Sequence, residues 1–189
     1  MKKLTLSILL VSSFMLFFVL NTPAEIALKG IGGQLGIVLP DGEADTTLGL
    51  GVVGDLGTIT PQVRLEGTVD YWGDSWEVPG YEWSWMTIII GGTAKYDFTT
   101  GGSFTPFAGG GLGLAISRWS SEWTAGIDES WWGASGVDTS DTDLDIAFHV
   151  CGGVDIPVGS NMKFTGQAKY VINGHDTIWL TGAILVQLY

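Results

Sequence analysis

The clearest structural signal in the sequence spans residues 62–71 and reads Gln62-Val63-Arg64-Leu65-Glu66-Gly67-Thr68-Val69-Asp70-Tyr71. Apolar and polar side chains alternate along it. Successive side chains of a β-strand point to opposite faces, whereas a helix repeats every 3.6 residues. The stretch therefore predicts a strand with one apolar and one polar face.

The same alternation recurs along the rest of the chain. It is clear near residues 86–98, 143–156 and 163–172, and weaker near 27–39, 47–56, 104–118 and 177–189. Glycines take alternate positions on the second face of two of these segments, at Gly49 and Gly51 and at Gly109, Gly111 and Gly113. With the first stretch this makes eight strands and no helix after residue 24.

The expected connections also alternate in kind. Those near 57–60, 99–103 and 157–161 are short and rich in Gly, Thr and Ser. Those near 73–84 and 120–142 are long, and those near 41–46 and 173–176 are shorter. Such an order is typical of an up-and-down antiparallel barrel whose two ends differ.

Composition narrows the class of protein. The chain has 189 residues and a formal net charge of −12, with 8 Lys and Arg against 20 Asp and Glu. Nothing in it would neutralise a phosphate backbone, so nucleic acid is excluded as a partner. Hydrophobic residues make up 46% and charged residues 15%. The single cysteine, Cys151, excludes an internal disulfide and a multi-cysteine metal site.

The first 24 residues have the pattern of a secretory signal peptide. Lys2 and Lys3 precede an apolar stretch, and small residues lead to Ala24. A retained membrane anchor is the alternative, but Ser12 and Ser13 interrupt the apolar run. We therefore expect a signal peptide over 1–24 and one barrel domain over 25–189, with a mature charge of −14.

Alternation alone does not say which face is inside. A soluble barrel buries its apolar face, whereas a membrane barrel turns it to lipid. Export, charges of both signs on the polar face and alternating glycines on that face favour the membrane barrel. Strands of about 9–11 residues suffice for a tilted crossing. The predicted fold class is all-β, an eight-stranded antiparallel transmembrane barrel.

These features together resemble a known family. The signal peptide, the eight strands, the segment Pro106-Phe107-Ala108-Gly109-Gly110-Gly111-Leu112-Gly113-Leu114 and the end Leu188-Tyr189 look like the small outer-membrane barrels of the opacity-protein, OmpX and OmpW group. The resemblance implies the outer membrane of a diderm bacterium and insertion by the barrel-assembly machinery. In that family the terminal aromatic faces lipid, whereas strict alternation here puts Tyr189 on the face of Gln187. Either a bulge shifts the register or the terminal signal is atypical.

Six charged or titratable residues are expected to point into the barrel. They are Arg64, Glu66, Lys95, Asp145, His149 and Lys169. One interpretation is a proton relay or ion path, and the other is a paired network that stabilises a narrow barrel. Eight strands leave no aqueous channel, which favours the network. Within it, Lys95 is the expected partner of Glu66.

Catalytic and metal-binding interpretations have weaker support. His175-Asp176 near several serines is compatible with a lipid A acyl hydrolase or acyltransferase. Adjacent strand residues point to opposite faces, however, so Asp176 would not orient His175. The acidic runs at 41–45 and 138–143 lack the spacing of an EF-hand. No catalytic residue, metal ligand or cofactor is predicted, and Cys151 is expected to be a small buried residue.

All nine tryptophans lie in or near the longer connections. Trp72, Trp85, Trp119 and Trp179 fit an interfacial aromatic belt. The residues further into the loops could instead recognise a ligand or anchor a partner; they are Trp76, Trp123, Trp131 and Trp132.

The expected function is therefore that of a monomeric outer-membrane protein with a structural or surface-interaction role. Its partners would be outer-membrane lipid and lipopolysaccharide, the assembly machinery during insertion, and an extracellular ligand of the acidic, Trp-rich loops. The alternatives are a porin-like conduit for small solutes or hydrophobic molecules, and the lipid A-modifying enzyme.

Overall fold

A computed structural model describes residues 25–41, 45–78, 81–99, 102–122, 139–173 and 176–188. The expected signal peptide lies outside them. Eight strands follow one another along the chain: β1 Glu25–Pro40, β2 Thr47–Thr60, β3 Val63–Val78, β4 Tyr81–Asp97, β5 Thr105–Glu122, β6 Thr139–Val158, β7 Met162–Ile172 and β8 Thr177–Gln187. None of the described residues belongs to a helix long and apolar enough to cross a membrane.

The strands close into a single antiparallel barrel. Each strand pairs with its neighbours in sequence, and β1 also pairs with β8, from Gly30 opposite Gln187 to Pro40 opposite Thr177. Closure leaves no sheet edge with unpaired backbone groups, which is what a lipid environment demands. The predicted fold class is confirmed.

The face of each strand that the sequence pattern predicts to be apolar points outward. Their exposed side chains include Leu35, Leu50, Val69, Ile90, Leu114, Ile146, Val150, Phe164, Leu180 and Ile184. The polar positions of the same strands point inward and are buried, as at Glu66, Lys95 and Lys169. The barrel is thus inverted relative to a soluble protein, as expected from the sequence.

The two ends of the barrel differ in shape. We call the end where β1 joins β2, β3 joins β4, β5 joins β6 and β7 joins β8 the loop end, and the opposite end the turn end. At the loop end β3, β4, β5 and β6 continue beyond their neighbours: β3 pairs with β2 only as far as Trp72, yet pairs with β4 up to Val78. These extensions form a projecting sheet on one side of the barrel mouth.

Two predicted connections are wrong, one at each end of the barrel. The long connection expected over 73–84 is a paired β3–β4 hairpin interrupted only at residues 79–80. The turn expected over 57–60 is strand, and the chain turns at residues 61–62 instead. The glycine and threonine residues at 57–60 are of the types expected in a turn, but in the structure they accommodate a bulge in β2. Gly57 has φ +87° there, and a Cβ on it would collide with the carbonyl oxygen of Glu25.

Candidate functional site

The barrel interior contains a network of ion pairs between the turn end and the middle of the barrel. Lys95 Nζ lies 2.5 Å from Glu66 Oε1, with both side chains almost fully buried. The expected Glu66–Lys95 pair is present, although it is diagonal: Glu66 is directly opposite Thr93 in the ladder. The Lys95 ammonium also lies 4.4 Å from the ring centre of Phe107.

Arg64 belongs to a second group nearer the turn end. Its guanidinium contacts Asp155 at 2.8 Å and Asp97 at 3.3 Å. Lys163 lies 3.2 Å from Asp155 and 3.6 Å from Asp55. Two cations and three carboxylates from five strands therefore meet at one level of the barrel.

Asp70 is the centre of a third group, nearer the loop end. It is completely buried and lies 2.5 Å from Lys169 Nζ. It also accepts hydrogen bonds from Gln34 Nε2 and, at 3.4 Å, from Thr68 Oγ1. One carboxylate thus joins β1, β3 and β7 across the interior.

His149 lies beside this network without joining it. Its Nε2 is 2.8 Å from Thr93 Oγ1, and the residue is 6% exposed. The glycine opposite it in the ladder is required, since a Cβ on Gly111 would lie 2.7 Å from the same nitrogen. Cys151 is a free, buried cysteine on the same face of β6.

Asp145 differs from the expected set. It shares the inward face of β6 but is exposed at the loop-end mouth, with no ion pair among the described residues. Alternation gave its face correctly but not its depth along the barrel axis. The expected network of six conversely omitted five members, although the period-two pattern of the sequence puts Asp70, Asp97, Asp155 and Lys163 on the polar face; the fifth is Asp55.

The interior at the level of Glu66 and Lys95 is filled. The space bounded by Gln34, Val53, Gln167, Thr181 and their neighbours leaves no room for a water molecule. Val53, Ala183 and Leu185 add an apolar cluster here. The described residues thus provide packing at this level rather than a passage.

Tryptophans close the interior at the loop end. Trp72 is 3% exposed and Trp179 is fully buried, and they pack with Val38, Ile89, Ala115, Ala147 and Val171. This corrects the interfacial-belt interpretation of Trp72 and Trp179. Trp85 and Trp119 also have inward positions in their strands, not the outward positions of a belt, but Trp85 is only partly buried and Trp119 is 41% exposed. Trp72 is an even-numbered β3 residue like Arg64 and Glu66, so alternation already assigned it to the inner face.

Above this layer lies a cavity of about 130 Å³, which we call the outer vestibule. Its lining combines indoles, carboxylates and small polar groups from the barrel mouth and the projecting sheet: Pro40, Asp41, Trp72, Trp83, Trp85, Thr87, Ser117, Trp119, Asp143, Asp145 and Asn173.

Strand register explains this lining. One row across β3 to β6 contains Trp72, Thr87, Ser117 and Asp143, and the next contains Asp74, Trp85, Trp119 and Asp141. Residues paired across an antiparallel ladder share a face. Both rows therefore turn aromatic and acidic side chains toward the same side of the projecting sheet.

Several predicted residues lie outside the vestibule or outside the described residues. Trp76 is 61% exposed further along the projecting sheet. Trp123, Trp131, Trp132, His175 and Tyr189 lie outside the described part of the chain. Among the described residues, no cluster of His, Cys, Asp and Glu could hold a metal ion.

The sequence matches one family of known proteins. The family model of the outer membrane protein beta-barrel domain matches residues 10–184. No curated protein matches the chain in sequence.

Solved structures share the fold at low identity. Neisserial surface protein A has a TM-score of 0.57 at 15% identity, over 84% of this chain and 95% of that one. Ail, the attachment invasion locus protein of Yersinia pestis, has 0.54 at 12%, over 84% and 95%. A major outer membrane protein from Thermus thermophilus has 0.53 at 9%, over 84% and 99%.

Proposed function

The chain belongs to the outer membrane protein beta-barrel family, and we propose that it is a non-enzymatic surface-interaction protein whose loop end meets the exterior. In this proposal residues 1–24 are a cleaved signal peptide and 25–189 are a monomeric barrel inserted by the assembly machinery. Lipid and lipopolysaccharide surround its apolar face.

The proposal rests on one observation: among the described residues the interior charges form ion pairs, while the acidic and aromatic residues of the chain are concentrated at the loop end. By sequence position, fourteen of the twenty acidic residues belong to the loop-end connections or the strand segments beside them. All six Lys and Arg residues after residue 24 are described, and only Arg118 lies in the projecting sheet. A field of one sign concentrated at one end favours encounters with partners of opposite charge.

The conduit alternative is less well supported. A conduit needs a continuous gap, whereas the described interior is packed at the Glu66–Lys95 level and capped by Trp72 and Trp179. For the enzyme alternative, His175 lies outside the described residues, and no observation favours it.

Surface labelling tests the orientation. Ser75 and Ser103 are exposed at the loop end and the turn end respectively. In a Cys151→Ala background, a maleimide polymer too large for porins should label Ser75→Cys, but not Ser103→Cys, on intact cells. Both sites should be labelled in purified protein, which controls for reactivity. Labelling of Ser103→Cys alone on intact cells would place the loop end in the periplasm and refute the proposal.

Planar-bilayer recording tests the filled interior. The purified protein should give no stepwise conductance, because the paired network occupies the interior. Reproducible single-channel steps from the native protein would replace the surface-interaction proposal with the conduit.

A further inference from the structure

The residues that line the outer vestibule indicate which class of ligand it could bind, which the proposed function does not specify. Four of its lining residues are tryptophans and three are aspartates, and it lies directly above the buried Trp72 layer. It is thus a cavity with a closed apolar floor and an acidic rim.

The indoles of the vestibule are arranged at angles to one another. Trp72 and Trp85 meet edge to face with ring centres 4.3 Å apart, and Trp83 and Trp119 do so at 5.6 Å. Trp83 and Trp85 join the two pairs at 6.4 Å. Rings at steep angles present several π faces and edges to one small volume. The negative face of an indole attracts a cation within about 6 Å of its centre.

The carboxylates of the vestibule have no cationic partners. Asp143 and Asp145 extend inward from β6, and Asp41 follows β1; no ion pair is formed by any of them within the described residues. Arg118 belongs to the outward set of β5, in register with Met86 and Thr142, and does not line the cavity.

Two lining residues also have buried polar atoms without a hydrogen-bond partner. They are the indole nitrogen of Trp72, a residue only 3% exposed, and the side-chain oxygen of Asn173. One is a donor and the other an acceptor. A buried polar atom without a hydrogen-bond partner is unfavourable, so the hydroxyl group of a ligand that bonded to either atom would strengthen binding.

We propose that the outer vestibule binds an organic ammonium ion, with its alkylated nitrogen among the indoles and its charge balanced by Asp143 and Asp145. A compact head of this kind suits a cavity of about 130 Å³. An anion would be repelled by the three carboxylates that line the cavity, and a neutral apolar group would leave their negative charge without a counter-charge. The inference rests on the proposed function, because it names the chemistry that the exposed end would recognise.

Choline and its uncharged carbon analogue, 3,3-dimethylbutan-1-ol, provide the test. They have nearly the same shape and the same hydroxyl, but only choline is charged. Purified barrel in a detergent without choline or amine groups is titrated with each at constant ionic strength, by calorimetry and tryptophan fluorescence. Choline should saturate, with a dissociation constant at least tenfold below that of the alcohol. Equal affinities, or no saturation by choline up to roughly 100 mM, which is about a hundred times the dissociation constant of a millimolar site, would overturn the proposal.

Matched variants show whether the vestibule itself is responsible. Trp119→Leu should weaken choline binding about fivefold or more, which is the effect of losing roughly 1 kcal/mol of cation–π attraction. Trp76→Leu, on the same sheet but outside the lining, should leave it unchanged. Likewise Asp143→Asn should weaken binding, and Glu82→Gln, which removes the same charge from an exposed position nearby, should not. Equal losses within either pair would refute a specific site.

The outcomes for this inference and for the proposed function are separable. Choline binding is measured on purified protein and does not depend on orientation in the membrane. Surface labelling of Ser75→Cys is measured on cells and does not depend on any ligand. If choline binds but the loop end lies in the periplasm, the binding site is retained and the surface role is refuted. If the loop end is exposed on cells but choline does not bind, the surface role is retained and the binding site is refuted.

Discussion

The inner network and the outer vestibule use the same kinds of charged residue in opposite ways. In the network, four cations are matched to five carboxylates, and the most buried pairs are 2.5 Å apart. In the vestibule, three carboxylates line the cavity and none forms an ion pair with another described residue. A buried charge must be paired, whereas a charge open to water need not be. Depth along the barrel axis therefore separates charges that stabilise the fold from charges available to a ligand.

Removing the most connected carboxylate should have the largest effect. Asp70→Asn leaves Lys169 buried without a counter-charge and weakens the hydrogen bonds from Gln34 and Thr68. The free energy of unfolding should fall by about 3–5 kcal/mol. Urea unfolding in lipid vesicles measures it.

The matched control for this change lies in the vestibule. Asp145→Asn is the same substitution at an exposed, unpaired site and should shift stability by about 0.5 kcal/mol or less. Similar losses for both variants would mean that the two regions do not differ in energetic role.

The outward face gives the next largest effect. Val150 and Val158 share one face of β6 and are both exposed, at 58% and 44%. Val150→Arg in the middle of the strand should cost about 2–4 kcal/mol in bilayers, whereas Val158→Arg at the turn end should cost about 0–1 kcal/mol. The comparison is made by urea titration in the same vesicles. Equal costs would indicate that this face does not contact the hydrocarbon core.

A double-mutant cycle measures one pair within the network. Glu66→Gln and Lys95→Met each leave a buried partner, and the double variant leaves none. The double variant should therefore be more stable than the sum of the single losses implies, by about 0.5–3 kcal/mol. If the losses simply add, the two side chains are not coupled despite their contact.

The smallest effect should come from the projecting sheet. Trp76 is 61% exposed, so Trp76→Ala should change the free energy of unfolding by about 0.5 kcal/mol or less. Trp179→Ala, which empties a fully buried position, should cost about 3–5 kcal/mol. Thermal or urea unfolding of the pair distinguishes them, and a large loss for Trp76→Ala would show that the projecting sheet supports the barrel.

The barrel, the number of strands and the face of almost every strand residue can be predicted from the local sequence pattern. The period of two and the apolar face of a strand are local properties of its sequence, and they do not depend on how the neighbouring strands pair with it. The inward positions of Arg64, Glu66, Lys95, His149 and Lys169 follow from this rule alone. The same rule, applied to Trp72 and Trp179, would have placed them inside rather than in a belt.

The depth of each charged side chain along the barrel axis, and the residue it pairs with, depend on the assembled barrel. Asp70 meets Lys169, and Arg64 meets Asp155, because strand stagger and barrel closure bring distant segments to one level. Asp145 is exposed because β6 extends beyond the barrel mouth with β3 to β5. Alternation carries no information about stagger, since a strand can slide by two residues without changing any face. The network and the vestibule therefore emerge only once the strands are in register.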